Sequence, residues 1–460
     1  MKIFGKVKHI HFVGIGGIGM SGIAELLINL GYHVSGSDLR RSEVTEHLSD
    51  SGGRIFLGHR PKNINGADVV VFSSAVKDDN PEIVEAGERS IPVIPRAEML
   101  AQLMRLKYGV AVAGAHGKTT TTSMIGSILT KGGLDPTVII GGRLNQWGGS
   151  NARLGSSDFL VAEADESDGS FLALSPSMAV ITNIDYEHID FYRSMDNLRK
   201  TFVDFINKVP FFGRAILCLD DKEVQGLIPE LTKSYLTYGL NPQSDIRASE
   251  IEKEGLNTSF DVIFRNTLLG KITICIPGDH NVLNALAAVG VGLELEIDFE
   301  YIREGLKGLG GLKRRFEIKD ERGDIIFLDD YGHHPTEIVA TITTAKECWP
   351  DRRLVVVFQP HRYTRTRALY DKFVIAFNQA DFLIITPIYG AGEEPIPGVD
   401  SMSLYQGIRD HGHRSVNLCP SKGEVISLLL DEVKAGDLVL TLGAGDIHLV
   451  GTELLKRIED

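Results

Sequence analysis

The stretch Val110-Ala111-Val112-Ala113-Gly114-Ala115-His116-Gly117-Lys118-Thr119-Thr120 decides the fold. Four apolar residues predict a buried strand, two glycines bound a tight turn, and residues 121–131 continue as a helix. Backbone N–H groups of such a turn, aimed together with a helix N-terminus, form an anion site. Lys118 is then placed to reach the β- and γ-phosphates of a nucleotide, and the Thr119 hydroxyl to hold Mg²⁺. Gly114, Ala115, His116, Gly117 and Thr120 complete the loop. The match to GxxxxGK[ST] is imperfect, because Val112 stands where the first glycine belongs and the spacing is GxxGKTT. A plain tight turn is the competing reading. The order of strand, loop, lysine and threonine weighs against it.

Upstream, Gly14-Ile15-Gly16-Gly17-Ile18-Gly19 matches GxGxxG after a first apolar run at 9–13, and Asp38 ends the second. Gly14, Gly16, Gly17 and Gly19 would let a diphosphate approach the backbone, with Asp38 on a ribose. NAD and a UDP-type ligand both fit that motif, and so do glycines that only pack a helix on a strand. Short apolar runs at 9–13, 33–35, 67–73 and 91–94 alternate with helical stretches such as 20–30, the βαβ rhythm of a parallel sheet. A second segment runs from 110 through apolar runs at 158–162, 178–182 and 215–219. It continues through a β-rich stretch at 235–276 to a helix at 280–295. Residues 305–315 are glycine-rich and read as a linker. A third segment repeats the α/β pattern at 325–328, 354–358, 382–386 and 438–442. Three consecutive α/β domains follow: a Rossmann-like domain over 1–106, a P-loop domain over 107–312 and a second Rossmann-like domain over 313–460.

Length agrees, since 460 residues at roughly 150 per domain make about three. Apolar residues are 43% and charged residues 24%, which excludes disordered and fibrous classes. The formal charge of −13 argues against non-specific binding to nucleic acid or anionic lipid. Cys218, Cys275, Cys348 and Cys419 are scattered without a CxxC, which suits reduced thiols rather than a disulfide frame or zinc cage. No apolar run reaches the ~18 residues of a membrane span, and the N-terminal run is broken by Lys and His. A soluble, cytoplasmic protein is expected.

Acidic and basic blocks follow the strands. Glu163-Ala164-Asp165-Glu166-Ser167-Asp168 closes the run at 158–162, and Glu163 is the best placed to hold a metal there; some of the others would form a solvated face. His188, in Asn183-Ile184-Asp185-Tyr186-Glu187-His188, is a candidate second-metal ligand, against the plainer reading of a hydrogen-bonded loop histidine. In the third segment Asp329-Asp330-Tyr331-Gly332-His333-His334 and Gln359-Pro360-His361-Arg362-Tyr363-Thr364-Arg365 each follow a strand. Their polar groups would converge at one rim of a sheet, where guanidinium groups bind carboxylate or phosphate bidentately. Alone, the second block would read as a solvated helix face.

Taken in order, GIGGIGMSGIAE, GAHGKTTTT, AEADESDGSFL, DHNVLNA, RRFE, DDYGHHPTE and FQPHRYTRTR resemble the Mur ligase family over essentially the whole chain. The resemblance implies an ATP-dependent amide ligase of peptidoglycan precursor synthesis, joining L-alanine to the lactyl carboxylate of UDP-N-acetylmuramate through an acyl phosphate. It implies ATP as co-substrate, Mg²⁺ (or Mn²⁺) as cofactor, and no nucleic-acid or membrane partner. Carried over residue by residue, Lys118 resembles the phosphate lysine, Thr119 and Glu163 metal ligands, and His188 a ligand of the second metal. Asn281 and Asn284 match positions lining the adenine. Arg315 and Asp330 match residues reaching the γ-phosphate and the ribose. Tyr331, His361, Arg362 and Arg365 resemble groups around the amino acid, with Asp38, His59 and Ser74 as uridine positions. Lys118, His188 and Arg315 form the expected catalytic set. A family ligase that reattaches recycled tripeptide is the alternative, and an NAD-dependent oxidoreductase a more distant one.

Overall fold

The computed structural model describes residues 4–73, 75–141, 152–309 and 313–457. Ser74, expected at the uridine, lies outside them, as do residues 310–312 of the expected linker. The chain forms two compact units, the first of residues 1–251, 259–274 and 281–309, the second of 252–258, 275–280 and 310–460.

The first unit carries two sheets. Five parallel strands lie in the order Arg54–Leu57, His33–Asp38, His9–Val13, Val69–Phe72 and Val93–Pro95. The strand order reverses beside His9–Val13, so a crevice opens at the carboxyl end of that strand, where the loop 14–19 sits. The second sheet has ten strands, with Tyr108–Ala113 between Met178–Ile181 and Phe159–Glu163. These three central strands are apolar because both of their faces are covered, as parallel sheets require. Their carboxyl ends deliver the phosphate loop, the acidic run and the loop toward His188 to one edge. One apolar core joins the two sheets, running from Ile10, Phe12 and Leu103 to Phe171 and Phe205.

The second unit is built on a six-stranded sheet, in the order Glu317–Arg322, Ile325–Asp330, Asp437–Leu442, Arg353–Phe358, Phe382–Ile385 and Val416–Leu418. Separate apolar clusters cover its two faces. Only its first strand is antiparallel.

One expectation is corrected. Gly305 is not linker but lies in the helix Phe299–Lys307, packed on the helix Lys118–Lys131. A Cβ there would come within 2.7 Å of the Ile128 backbone, so glycine serves close helix packing. Among the described residues no helix is long and apolar enough to cross a membrane.

Candidate active site

The phosphate loop is held open by its neighbours rather than by itself. Gly114 has φ +135°, and a Cβ on it would fall 2.1 Å from Thr182 Oγ1, so only glycine fits. The Ala115 N–H donates to Asn183 O (3.1 Å), the His116 N–H to Asn183 Oδ1 (2.8 Å), and the Thr182 hydroxyl to His116 O (2.6 Å). On the other side Thr121 Oγ1 donates to Asn284 Oδ1 (3.1 Å), and Asn284 Nδ2 to Asn281 Oδ1 (3.2 Å). Both asparagines lie in the first turns of the helix Asp279–Glu294, against the phosphate loop. The helix Lys118–Lys131 starts at Gly117 with no side-chain cap, which leaves its orphan N–H groups for an anion. Thr119 and Thr120 form its first turn.

Lys118 Nζ donates to Gly114 O (2.5 Å) and to both oxygens of Glu166 (2.9 Å each). Burial alone would lower the Lys118 pKa, but the carboxylates of Glu166, Asp165 and Glu163 reverse that and hold it above its usual value. At Glu166 burial wins over the Lys118 attraction and pushes the carboxyl to about 7. The Glu166 carboxylate therefore occupies the lysine that a phosphate would claim.

Glu163 ends its strand as expected, and its Oε1 accepts from the Gly141 N–H at 2.6 Å. His188, at φ +55°, groups with Glu166 and Glu187, their ligand atoms all within 4.8 Å of one another. Two carboxylates and an imidazole form a donor set that a divalent cation accepts, and hard oxygen donors suit Mg²⁺. Glu163 is not in that group.

In the first sheet the Gly14 and Ile15 N–H groups donate to Ser37 O (2.9 and 3.0 Å), and the Gly16 N–H to Asp38 Oδ2 (2.8 Å). Asp38 thus supports the glycine loop through one oxygen and keeps further acceptor capacity on the other. Gly19 lies against Arg96, whose Nη2 reaches Asp165 Oδ2 at 3.2 Å. Arg96 ties the glycine loop to the acidic run beside Lys118. His59 Nδ1 bonds Ser37 Oγ at 2.9 Å. The Ser37 hydroxyl in turn meets Glu82, which is wholly buried. Burial would raise the Glu82 carboxyl, but hydrogen bonds from His11, Ser37, Asn63 and the Arg60 N–H bring it down to about 2.

In the second unit Arg315 stacks over Tyr331 (5.2 Å) and approaches Glu337 (3.5 Å). Asp330 accepts from the Phe316 and Gly332 N–H groups, at 2.7 Å each, and burial raises it to about 6. His361 stacks on Tyr389 and accepts from Arg365 Nη1 at 3.1 Å. Arg362 stands at φ +69° and starts the helix Tyr363–Ala368.

Residues 9–108 match the Mur ligase family, catalytic domain; 112–292 match the Mur ligase middle domain; 314–445 match the Mur ligase, glutamate ligase domain. The chain belongs to the Mur ligase family. Among this Mur ligase's relatives, the UDP-N-acetylmuramate–L-alanine ligase of Geotalea uraniireducens is 59% identical, covering 99% of both chains. That of Syntrophotalea carbinolica is also 59% identical, with the same coverage. The crystal structure of UDP-N-acetylmuramate-alanine ligase MurC from Thermotoga maritima superposes with TM-score 0.84 at 29% identity, over 98% of this chain and 99% of that one. A murein peptide ligase from Psychrobacter arcticus reaches TM-score 0.73 at 25% identity, over 98% of each chain.

The sequence reading did not single out Glu166, Glu187, Arg96, Glu82 or Tyr389 for this Mur ligase. Glu166 and Glu187 sit inside the blocks quoted for Glu163 and His188, and only the turn of each loop decides which carboxylate points inward. Glu82 and Arg96 stand in helices whose sequences carry no motif.

Proposed function

We infer that this Mur ligase joins L-alanine to the lactyl carboxylate of UDP-N-acetylmuramate, driven by ATP. What carries the reading is likeness at 59% identity, over the full chain, to ligases of that name. The tripeptide-recycling alternative rests on a more distant likeness.

A carboxylate is a poor electrophile, so it is first activated. Its oxygen attacks the γ-phosphorus, the bond to the bridging oxygen breaks, and ADP leaves an acyl phosphate. The alanine amine then attacks the acyl carbon, the C–O bond to phosphate breaks, and the amine gives up a proton. Little covalent work falls to the protein; positioning and neutralisation of charge dominate. The N–H groups at the start of the helix Lys118–Lys131 would hold the phosphates. Lys118 would leave Glu166 for the transferring phosphoryl group, while Asn281 and Asn284 support the loop on its adenine side. Thr119 and Glu163 would hold one Mg²⁺, and His188 with Glu166 and Glu187 a second, and these ions would offset phosphate charge when bound. Gly14, Gly16, Gly17, Gly19 and His59 serve the nucleotide sugar, and Tyr331, His361, Arg362 and Arg365 the amino acid. ATP and a nucleotide sugar as substrates place the reaction in the cytoplasm.

Phosphate release, measured with ATP, UDP-N-acetylmuramate and each amino acid in turn, tests this. Turnover is expected only with the sugar and L-alanine together, and Lys118→Ala should lose it. Losing that charge on the transferring group costs about 3 kcal/mol or more in the transition state. Rapid ATP hydrolysis without the sugar would overturn the reading.

A further inference from the structure

The first sheet encloses a carboxylate that the ligation reaction does not use. Glu82, in the first turn of the helix Pro81–Glu88, is wholly buried and bonds Ser37, the residue whose carbonyl holds the start of the glycine loop. Its Oε1 accepts from the Arg60 N–H (3.1 Å) and from Asn63 Nδ2 (2.5 Å). Its Oε2 accepts from His11 Nε2 (3.3 Å) and from the Ser37 hydroxyl (2.5 Å). A buried carboxylate is costly, and apolar side chains of the same volume would fill such a space as well.

Proton directions give it a task. An ionised carboxylate only accepts, so the Ser37 hydroxyl must donate to Glu82. Ser37 Oγ then meets His59 Nδ1, at 2.9 Å, with its lone pairs alone. The ring must place its N–H on Nδ1, and Glu82 Oε2, 3.6 Å away, favours the same choice. A neutral imidazole protonated on Nδ1 leaves Nε2 as a bare acceptor. His59 follows the strand Arg54–Leu57 at the carboxyl edge of the sheet. Ser37, whose hydroxyl sets that ring, also holds the Gly14 and Ile15 N–H groups through its carbonyl.

We propose that Glu82 is a positioning residue of the nucleotide-sugar site, fixing through Ser37 the proton of His59 on Nδ1 so that Nε2 accepts a hydrogen bond from an N–H or O–H of the uridine. This rests on the ligase reading above, which supplies the ligand.

The glutamine variant inverts the arrangement. The Arg60 N–H is backbone and cannot turn, so in Glu82→Gln the amide oxygen must face it. The amide NH₂ then faces Ser37, whose hydroxyl turns to donate to His59 Nδ1, and the ring proton moves to Nε2. An acceptor becomes a donor.

Calorimetry with UDP and with UDP-N-acetylmuramate, on wild type, Glu82→Gln, His59→Ala and the double variant, reads the effect. Nitrogen-15 spectra of the histidine rings read the tautomer, with the His59 signal assigned by its loss in His59→Ala. The expected result for Glu82→Gln is a shift of that signal to the Nε2–H form. At least tenfold weaker binding of both ligands should accompany it. The sugar KM should rise in parallel while kcat at saturation changes less than twofold. The double variant should bind no more weakly than His59→Ala, because the effect passes through that ring. Ser37→Ala leaves Glu82 its other donors and should weaken binding in the same direction, so the test survives if Glu82→Gln fails to fold. An unchanged tautomer, or additive losses in the double variant, would overturn the proposal. Wild-type affinity in His59→Ala would overturn it while leaving the ligase reading intact. Failure of the wild type to bind UDP-N-acetylmuramate would overturn that reading itself.

Discussion

Glu82, Glu166 and Asp330 are all buried carboxyl groups of this Mur ligase, and their surroundings treat them in two opposite ways. Glu82 has four donors, and they outweigh the cost of burial and hold it at about 2. At Glu166 and Asp330 burial prevails, aided by the neighbouring carboxylates Asp165 and Glu337, and the groups rise to about 7 and about 6. The difference is a matter of charge state at neutral pH: Glu82 is fully ionised, whereas Glu166 is close to gaining or losing a proton. A depressed carboxyl contributes stability that is present above its unfolded pKa and is lost as pH falls through the folded one. For Glu82, between 4.5 and about 2, that amounts to about 3 kcal/mol. Scanning calorimetry at a series of pH values should therefore show a wild-type advantage over Glu82→Gln that is full above pH 4.5 and shrinks below it. A gap independent of pH would mean that the Glu82 charge contributes nothing to the fold. None of this was legible in the sequence, because Pro81–Glu88 (PEIVEAGE) has the composition of a solvated helix.

Among the elements, those with one strong physical signature were legible. Tyr108–Ala113, Phe159–Glu163 and Arg353–Phe358 are buried on both faces and read as unbroken apolar runs. Glu317–Arg322 escaped notice because five of its six residues are charged, which suits the antiparallel edge it forms. Thr137–Ile139 is only three residues long, too short for periodicity to register. The helix Phe299–Lys307 was not read, and its Gly305 was assigned to the glycine-rich linker, whereas it serves the contact with Ile128. The helix Arg96–Met104 matters most for function. Its first residue lies between Gly19 and Asp165, so it couples the glycine loop of one sheet to the acidic run of the other. Arg96→Ala should raise the KM for both UDP-N-acetylmuramate and ATP severalfold, since both loops lose their common support. Substitution of an exposed surface arginine, Arg409→Ala, should change neither. A rise confined to the sugar would assign Arg96 to the glycine loop alone.

At the scale of the whole molecule, a chain of formal charge −13 handles substrates that are themselves anions. The mean field repels them, so local cations must collect them, and these are divided between the two compact units. Lys118 and the glycine loop belong to the first unit; Arg315, Arg362 and Arg365 belong to the second. An acyl phosphate hydrolyses if water reaches it, so the amine must be delivered under cover. If Arg315 and Asp330 serve the same ATP as Lys118, bound nucleotide and sugar neutralise repulsion and draw the units onto one set of reacting atoms. Small-angle scattering with a non-hydrolysable ATP analogue and UDP-N-acetylmuramate should then give a smaller radius of gyration than the ligand-free protein. Arg315→Ala should lose both the compaction and the turnover, while its affinity for the sugar, bound by the first unit, stays close to wild type. An unchanged radius together with full activity in Arg315→Ala would sink this account, because the second unit would then contribute no charge to the transferred phosphoryl group.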